Sequence, residues 1–146
     1  MHLKVDPASN VPIYSQVVDQ IKALVASRAL RPGDRLPSVR DLAVGLRVNR
    51  NTAARAYQML EIEKVIETRR GDGSFIAATP PVWSLEERRR RLETILDRAL
   101  VEAFHLGIPF EEIARLLAER TQRYVGDAER TARSQGRQEH QEKETA

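Results

Sequence analysis

With 146 residues, 41% of them hydrophobic and 5% aromatic, the chain has material for one small domain plus an appendage and little for a large ligand cavity. It holds no cysteine, which excludes disulfides, thiol catalysis and cysteine–zinc sites. The net charge of +3 is uneven: residues 1–80 carry 12 Lys and Arg against 8 Asp and Glu, and residues 81–146 carry 12 against 13, so the excess lies in the first half.

Met1 to Asn10 reads as a polar lead-in. Val11-Pro12-Ile13-Tyr14 opens a helix, since proline is tolerated where its missing N–H would have no partner. Tyr14, Val17, Val18, Ile21, Leu24 and Val25 recur at three and four, which predicts one buried helical face over about residues 12–28. Leu30-Arg31-Pro32-Gly33-Asp34 is punctuation. Ser38, with Asp41 three residues on, is a capping-box start, and Val39, Leu42, Ala43 and Leu46 form a second apolar stripe. Arg47-Val48 follows as a turn, and Asn49 can cap a third helix. That helix buries Ala53, Ala56, Tyr57 and Leu60 and turns Arg50, Asn51, Thr52 and Arg55 outward. Its polar opening carries side chains that reach phosphates and base edges, and its dipole adds to the attraction for phosphate.

Val65 to Thr68 and Ser74 to Ala77 are β-branched or aromatic flanks around Arg69-Arg70-Gly71-Asp72-Gly73, the pattern of a hairpin with a basic, glycine-bearing tip. Taken alone, the helix pair and the hairpin are also ordinary pieces of a globular domain. Three helices followed by a two-stranded ribbon have the outline of a winged helix, in which Gly71 and Gly73 give a tip able to approach a nucleic-acid backbone closely and Arg69 and Arg70 bring charge beside it.

Thr79-Pro80-Pro81-Val82 reads as a stiff linker. After it, Ser84-Leu85-Glu86-Glu87 starts a further helix, in which Leu85, Leu92, Ala99 and Leu106 recur at seven and Ile95, Leu96 and Ala103 fill the same face. Gly107 ends that helix and Pro109 helps to start the next, whose apolar face is Phe110, Ile113, Leu116, Leu117 and Tyr124. Two helices cannot build an independent core from so little, so their stripes pair with a second copy or lie on the first domain; the dimer is the favoured arrangement. Arg88 to Arg91 read as a solvated helix face flanked by Glu86, Glu87 and Glu93. The expected organisation is a winged helix-turn-helix over residues 1–78, a linker over 79–83, a two-helix dimerisation hairpin over 84–125, and a disordered tail or frayed helix over 126–146. The fold class is mainly α with one small β-hairpin.

Several classes fall away. His2, His105 and His140 are scattered, with no carboxylates at metal-ligand spacing, so no metal site is expected. No nucleophile–base pair or glycine-rich phosphate loop stands out, so neither catalysis nor a cofactor is expected. No apolar run approaches the ~18 residues of a membrane span and no signal-peptide core opens the chain, so a cytoplasmic location without a membrane partner is expected.

Residues 14–77 resemble the winged-helix domain of the GntR family of bacterial transcription regulators. The resemblance is carried by Pro12-Ile13-Tyr14-Ser15-Gln16, the run from Pro32 to Ala43, Val48-Asn49-Arg50-Asn51-Thr52, and Arg70-Gly71-Asp72-Gly73-Ser74-Phe75. It implies that Arg40 lies near the DNA backbone, that Asn49, Arg50, Asn51 and Thr52 face the major groove, and that Gly73 enters the minor groove. Arg50 suits a bidentate contact to a guanine edge or, failing that, a phosphate. Arg40 and Arg55 suit phosphate clamps that set register, and Asn49 divides between helix cap and base contact. Two positions depart from the family pattern. Arg47 stands in the turn where many members have glycine, which predicts a left-handed non-glycine residue. Ala53-Ala54 replace the usual Val-Arg or Val-Gln, so the second arginine of the helix arrives only at 55.

The short C-terminal part resembles the YtrA-like subgroup, with a two-helix dimerisation hairpin in place of a large effector domain. The resemblance implies a dimeric repressor on an inverted-repeat operator, often controlling its own operon and linked transport genes. A small-molecule effector is compatible with this reading but not demanded by any residue. The competing reading is a winged helix kept as a protein-interaction module without specific DNA binding.

Overall fold

The computed structural model describes residues 1–78 and 83–144; beyond residue 130, only the side chain of Arg133 is described. In chain order it has α1 (Ile13–Ala26), α2 (Val39–Leu46), α3 (Arg50–Ile62), β1 (Ile66–Arg69), β2 (Gly73–Ile76), α4 (Leu85–His105) and α5 (Phe110–Glu144). The predicted linker residues Thr79, Pro80, Pro81 and Val82 lie outside the described residues.

Helix α1 is shorter than its periodicity predicts. Pro12 is the residue before the helix, with φ −54° and ψ 142°, and its carbonyl accepts the Gln16 N–H at 3.1 Å. At the other end Arg28 takes the left-handed conformation (φ 59°), and the Leu30 N–H returns to the Leu24 carbonyl at 3.0 Å. That reversal closes the helix two residues earlier than the apolar pattern alone would.

The lead-in is anchored rather than merely polar. Gln16 and Gln20, one turn apart on α1, hold it by their side-chain amides. The Asp6 N–H donates to Gln16 Oε1 at 2.8 Å and the Gln16 amide donates back to the Asp6 carbonyl at 2.9 Å. Gln20 does the same at Lys4, at 2.9 and 2.6 Å. The two amides act as a ladder partner for an extended arm, and Leu3 and Val5, alternate residues of that arm, pack on the core.

The core lies where α1, α2, α3 and the ribbon meet. Val17, Val18 and Ile21 of α1 face Leu42 and Ala43 of α2 and Ala53, Ala56, Tyr57 and Leu60 of α3, and Leu36, Ile66 and Ile76 close the cluster. Ala53 and Ala56 are fully buried, so α3 is held close by side chains too small to keep its neighbours apart. Ile21 and Leu60 are also fully buried, and each contributes about 1.5–3 kcal/mol by leaving water. Tyr57 is buried with its hydroxyl donating to the Pro37 carbonyl at 2.7 Å. Burial pushes the phenol well above its ordinary range, so it stays a donor and ties α3 to the segment that leads into α2.

The ribbon pairs antiparallel, Ile66 opposite Ile76 and Arg69 opposite Gly73. The stretch read as punctuation joins it. The Gly33 N–H donates to the Ile76 carbonyl, the Ile76 N–H to the Asp34 carbonyl, and the Leu36 N–H to the Ser74 carbonyl, each at 2.8 Å. Residues 33–36 thus cover the outer edge of β2, and Arg35 bridges to Phe75. Covering that edge leaves fewer unpaired backbone groups on the ribbon.

Helix α4 opens with a complete capping box. Ser84 Oγ accepts the Glu87 N–H at 3.2 Å and the Glu87 carboxylate accepts the Ser84 N–H at 2.9 Å. Arg91 lies over the Trp83 ring, 3.6 Å from its centroid. The rest of the arginine run is solvated as expected, with Arg90 bonded to Glu86 and Arg89 near Glu93. Gly107 takes φ 68°, a left-handed turn that reverses the chain and suits glycine. In α5 the helix continues through Gly126 to Glu144, where the sequence predicts a disordered tail or frayed helix. Composition explains the continuity: after Gly126 the chain is rich in Ala, Arg, Glu and Gln, which favour the helix, and lacks proline.

Candidate nucleic-acid interface

Three pieces of backbone present the predicted residues. The first is the N-terminal turn of α2, which carries Arg40. Ser38 caps it, accepting the Asp41 N–H at 3.1 Å and donating its hydroxyl to the Asp41 carboxylate at 2.7 Å. That carboxylate, expected to take an orphan backbone N–H, is engaged by the Ser38 hydroxyl. Arg40 is exposed and, among the described residues, has no acidic partner.

The second piece is the start of α3. Arg47 takes φ 56° and ψ 43°, the left-handed residue expected in the turn. It is followed by Asn49, whose side-chain oxygen accepts the Asn51 N–H at 2.8 Å. Oδ1 therefore caps the helix, which leaves the amide nitrogen as the group of Asn49 still able to donate. Arg50 and Asn51 are exposed on the first turn, and Thr52 is half-buried. Arg50 has no acidic partner among the described residues, so its full charge adds to the positive end of the helix dipole.

Arg55, one turn on, is exposed but not loose. Its guanidinium lies over the Tyr14 ring of α1, 4.1 Å from the centroid. Stacking leaves the in-plane N–H edge of the guanidinium open, so the residue is oriented rather than removed from the surface.

The third piece is the wing. Of its two tip-side arginines, Arg69 is occupied: its Nη2 and Nε both donate to Glu67 Oε1, at 2.7 and 3.1 Å, and its guanidinium lies over the Phe75 ring, 4.3 Å from the centroid. Arg70 is exposed, with no acidic partner among the described residues. Gly71 and Gly73 have φ 79° and 111°, so the tip uses backbone that L side chains rarely adopt.

Two further arginines, Arg35 and Arg47, lie at the wing and the turn without standing out in the sequence. Arg35 lies alongside the wing, its Nε and Nη2 each 3.5 Å from where a Gly73 Cβ would sit and its Cζ 5.9 Å from the Phe75 centroid. No local pattern shows this, because the contact depends on residues 33–36 pairing with β2. Arg47 stands out in the sequence only for its backbone, yet its side chain is exposed in the turn that leads into α3. Arg40, Arg50 and Arg70 are thus exposed cations of helix-turn-helix and wing without an acidic partner among the described residues, Arg35 lies next to Gly73 of the wing, and Arg47 is exposed in the turn before α3.

The hairpin presents a different surface. Ala103 packs within the hairpin rather than on its open face, and Leu96 and Ile113 are half-buried there. Leu85, Leu92, Ile95, Ala99, Leu106, Phe110 and Leu117 are exposed. The sequence stripe omitted Leu100, Val101, Phe104 and Val125, which are exposed as well. Phe104 is 69% exposed and Ile95 64%, so the hairpin carries a run of large apolar side chains on its surface.

Helix-turn-helix and glycine-tipped wing together define a winged-helix DNA-binding protein. A model described as bacterial regulatory proteins of the gntR family matches residues 13–76. The chain is 35% identical over 117 residues to the HTH-type transcriptional repressor YtrA of Bacillus subtilis, covering 80% of this chain and 90% of that protein. It therefore belongs to the GntR family of transcriptional regulators. Among solved structures it is similar to a protein named as a transcriptional antiterminator from Listeria monocytogenes, with 34% identity, a TM-score of 0.75 and coverage of 86% and 93% of the two chains. It is also similar to YtrA from Sulfolobus acidocaldarius, described as a GntR-family transcription factor, with 39% identity, a TM-score of 0.56 and coverage of 68% and 97%. Among the described residues no helix is long and apolar enough to cross a membrane, and no group of three or more His, Cys, Asp or Glu residues could hold a metal ion.

Proposed function

We propose that this regulator is a repressor that binds an inverted-repeat operator in double-stranded DNA as a homodimer, in the cytoplasm. The observation that carries the reading is the exposed arginines Arg40 of α2, Arg50 on the capped first turn of α3 and Arg70 of the wing, none with an acidic partner among the described residues. Arg50 and Asn51 read base edges in the major groove, and Thr52 and the Asn49 amide assist them. Arg40, Arg47 and Arg55 hold phosphates, and the wing at Arg70, Gly71 and Gly73 follows the minor groove. The exposed faces of α4 and α5 meet a second copy. The two-fold axis between copies sets the half-site spacing, and a two-fold protein reads an inverted repeat. Repression is supported by the likeness to the Bacillus repressor. Control of its own operon and of transport genes rests on the subgroup resemblance.

The test is a fluorescence-anisotropy titration on DNA upstream of the protein's own gene, at two salt concentrations and with Arg50→Ala. Tight binding that falls steeply with salt and weakens by about 10–100-fold in the variant is expected, the loss of one bidentate base contact. Affinity no better than for random duplex, with no salt slope, would favour the protein-interaction module instead.

A further inference from the structure

A hollow of about 310 Å³ lies between the C-terminal half of α1 and the middle of α5, at the low end of volumes that hold small molecules. Leu3 from the N-terminal arm and Ala23 and Leu24 from α1 supply its apolar side, and Arg120, Arg123 and Tyr124 supply the α5 side.

The arginines of this hollow differ from two others on the same helix. Elsewhere on α5, Arg115 is bonded to Glu112 and Arg130 to Asp127, each with its acid three residues earlier. The residues three before Arg120 and Arg123 are Leu117 and Arg120 itself. Neither arginine has an acidic partner among the described residues. Asp127, the carboxylate at the same hollow, is engaged by Arg130. The Gln20 amide, also on the wall, is occupied at Lys4. Two like charges one turn apart repel, and a single anionic group between them reverses that cost. His2 adds a further nitrogen donor at the rim.

We propose that this hollow binds a small organic anion, its carboxylate or phosphate group held by Arg120 and Arg123 and its apolar body against Leu24, Ala23 and the Tyr124 ring. Guanidinium pairs grip such groups through several parallel N–H donors. The site joins the two working halves of the molecule. Helix α1 packs on the reading helix α3, whereas α5 packs on α4 and makes little other contact with α1. An anion seated here ties the winged helix to the hairpin. Resting on the dimeric-regulator reading above, it therefore changes the spacing of the two reading helices and with it operator affinity.

Phenyl phosphate and benzoate are the probes, benzyl alcohol is the uncharged control, and isothermal titration on the full chain is the readout. The wild-type protein is expected to bind at least one of the two anions saturably, one per chain, and not the alcohol. The double variant Arg120→Gln/Arg123→Gln, on an exposed helix face that glutamine also favours, is expected to lose at least tenfold in affinity with an unchanged circular dichroism spectrum. No saturable anion binding, or equal binding by variant and wild type, overturns the site. A variant that binds operator more weakly without any anion also overturns it, making these arginines DNA-phosphate contacts. Operator titration with and without the better anion then decides the regulatory part. A shift of several-fold in the wild type alone supports it, and an unchanged affinity removes it while leaving the site. Failure of the wild type to bind operator at all would overturn the regulator reading, and the calorimetric result would still stand.

Discussion

The guanidinium of Arg55 lies over the ring of Tyr14, its Cζ 4.1 Å from the ring centroid. A residue on α3 is thus aimed by one on α1, 41 positions earlier in the chain. We predict that Tyr14→Leu, which keeps the apolar contact of a half-buried site, weakens operator binding about two- to five-fold, the equivalent of ~0.5–1 kcal/mol for an exposed cation–π contact. Anisotropy titration with Tyr14→Leu, Arg55→Ala and the double variant checks this. The double variant should be no weaker than Arg55→Ala, and independent losses would mean that Tyr14 does not act through Arg55.

The wing tip depends on backbone that favours glycine. At Gly73 (φ 111°) an added Cβ would meet Arg35 at ordinary contact distance, so the cost of Gly73→Ala is one of conformation rather than space. It should destabilise the protein by about 1–3 kcal/mol. Gly126 lies inside α5 with no positive φ and nothing within 4 Å of an added Cβ. There Gly126→Ala should stabilise the helix by about 1 kcal/mol. Thermal melts followed by circular dichroism should move in opposite directions, and a shared direction would contradict the assigned backbone at one of the two sites.

The dimer reading places Ile95 and Phe104 against a second copy. Ile95→Glu or Phe104→Glu puts a carboxylate into an apolar contact, where an unpaired charge is strongly disfavoured. Sedimentation velocity should show a shift from dimer to monomer. A dimer constant unchanged in both variants would place the interface elsewhere on the molecule.

Glu87 gives a pH signature. The Ser84 backbone N–H and hydroxyl hold its carboxyl below the ordinary value of 4.5. A depressed folded-state pKa contributes stability that is present above the unfolded value and is lost as pH falls through the folded one. The first turn of α4 should therefore loosen only below about pH 4.5. The Ser84 amide resonance should report it, and Glu87→Gln should abolish the titration. A midpoint at or above the ordinary value would mean the capping box does not form in solution.

Local patterns carried the reading helix. Asn49 as cap and the burial of Ala53, Ala56, Tyr57 and Leu60 follow from spacing of three and four and from residues whose side chains bond nearby backbone, and the left-handed Arg47 follows from the family resemblance, in which that turn often holds glycine. Long-range pairing was not legible. The arm bonded to Gln16 and Gln20, the covering of β2 by residues 33–36, and the placement of Arg35 beside Gly73 depend on partners far apart in sequence.

The sequence by itself determined which elements form in the winged helix and which of their residues face inward, because helix and strand periods are set by neighbours a few positions away. It also determined the family, through motifs spread over the winged helix. Only the tertiary structure decided which charges are available. Arg69 is neutralised by Glu67, Arg55 is stacked on Tyr14, and Arg40, Arg50 and Arg70 have no acidic partner among the described residues. Charge pairing is a matter of distance in space, and residue order alone does not specify that distance.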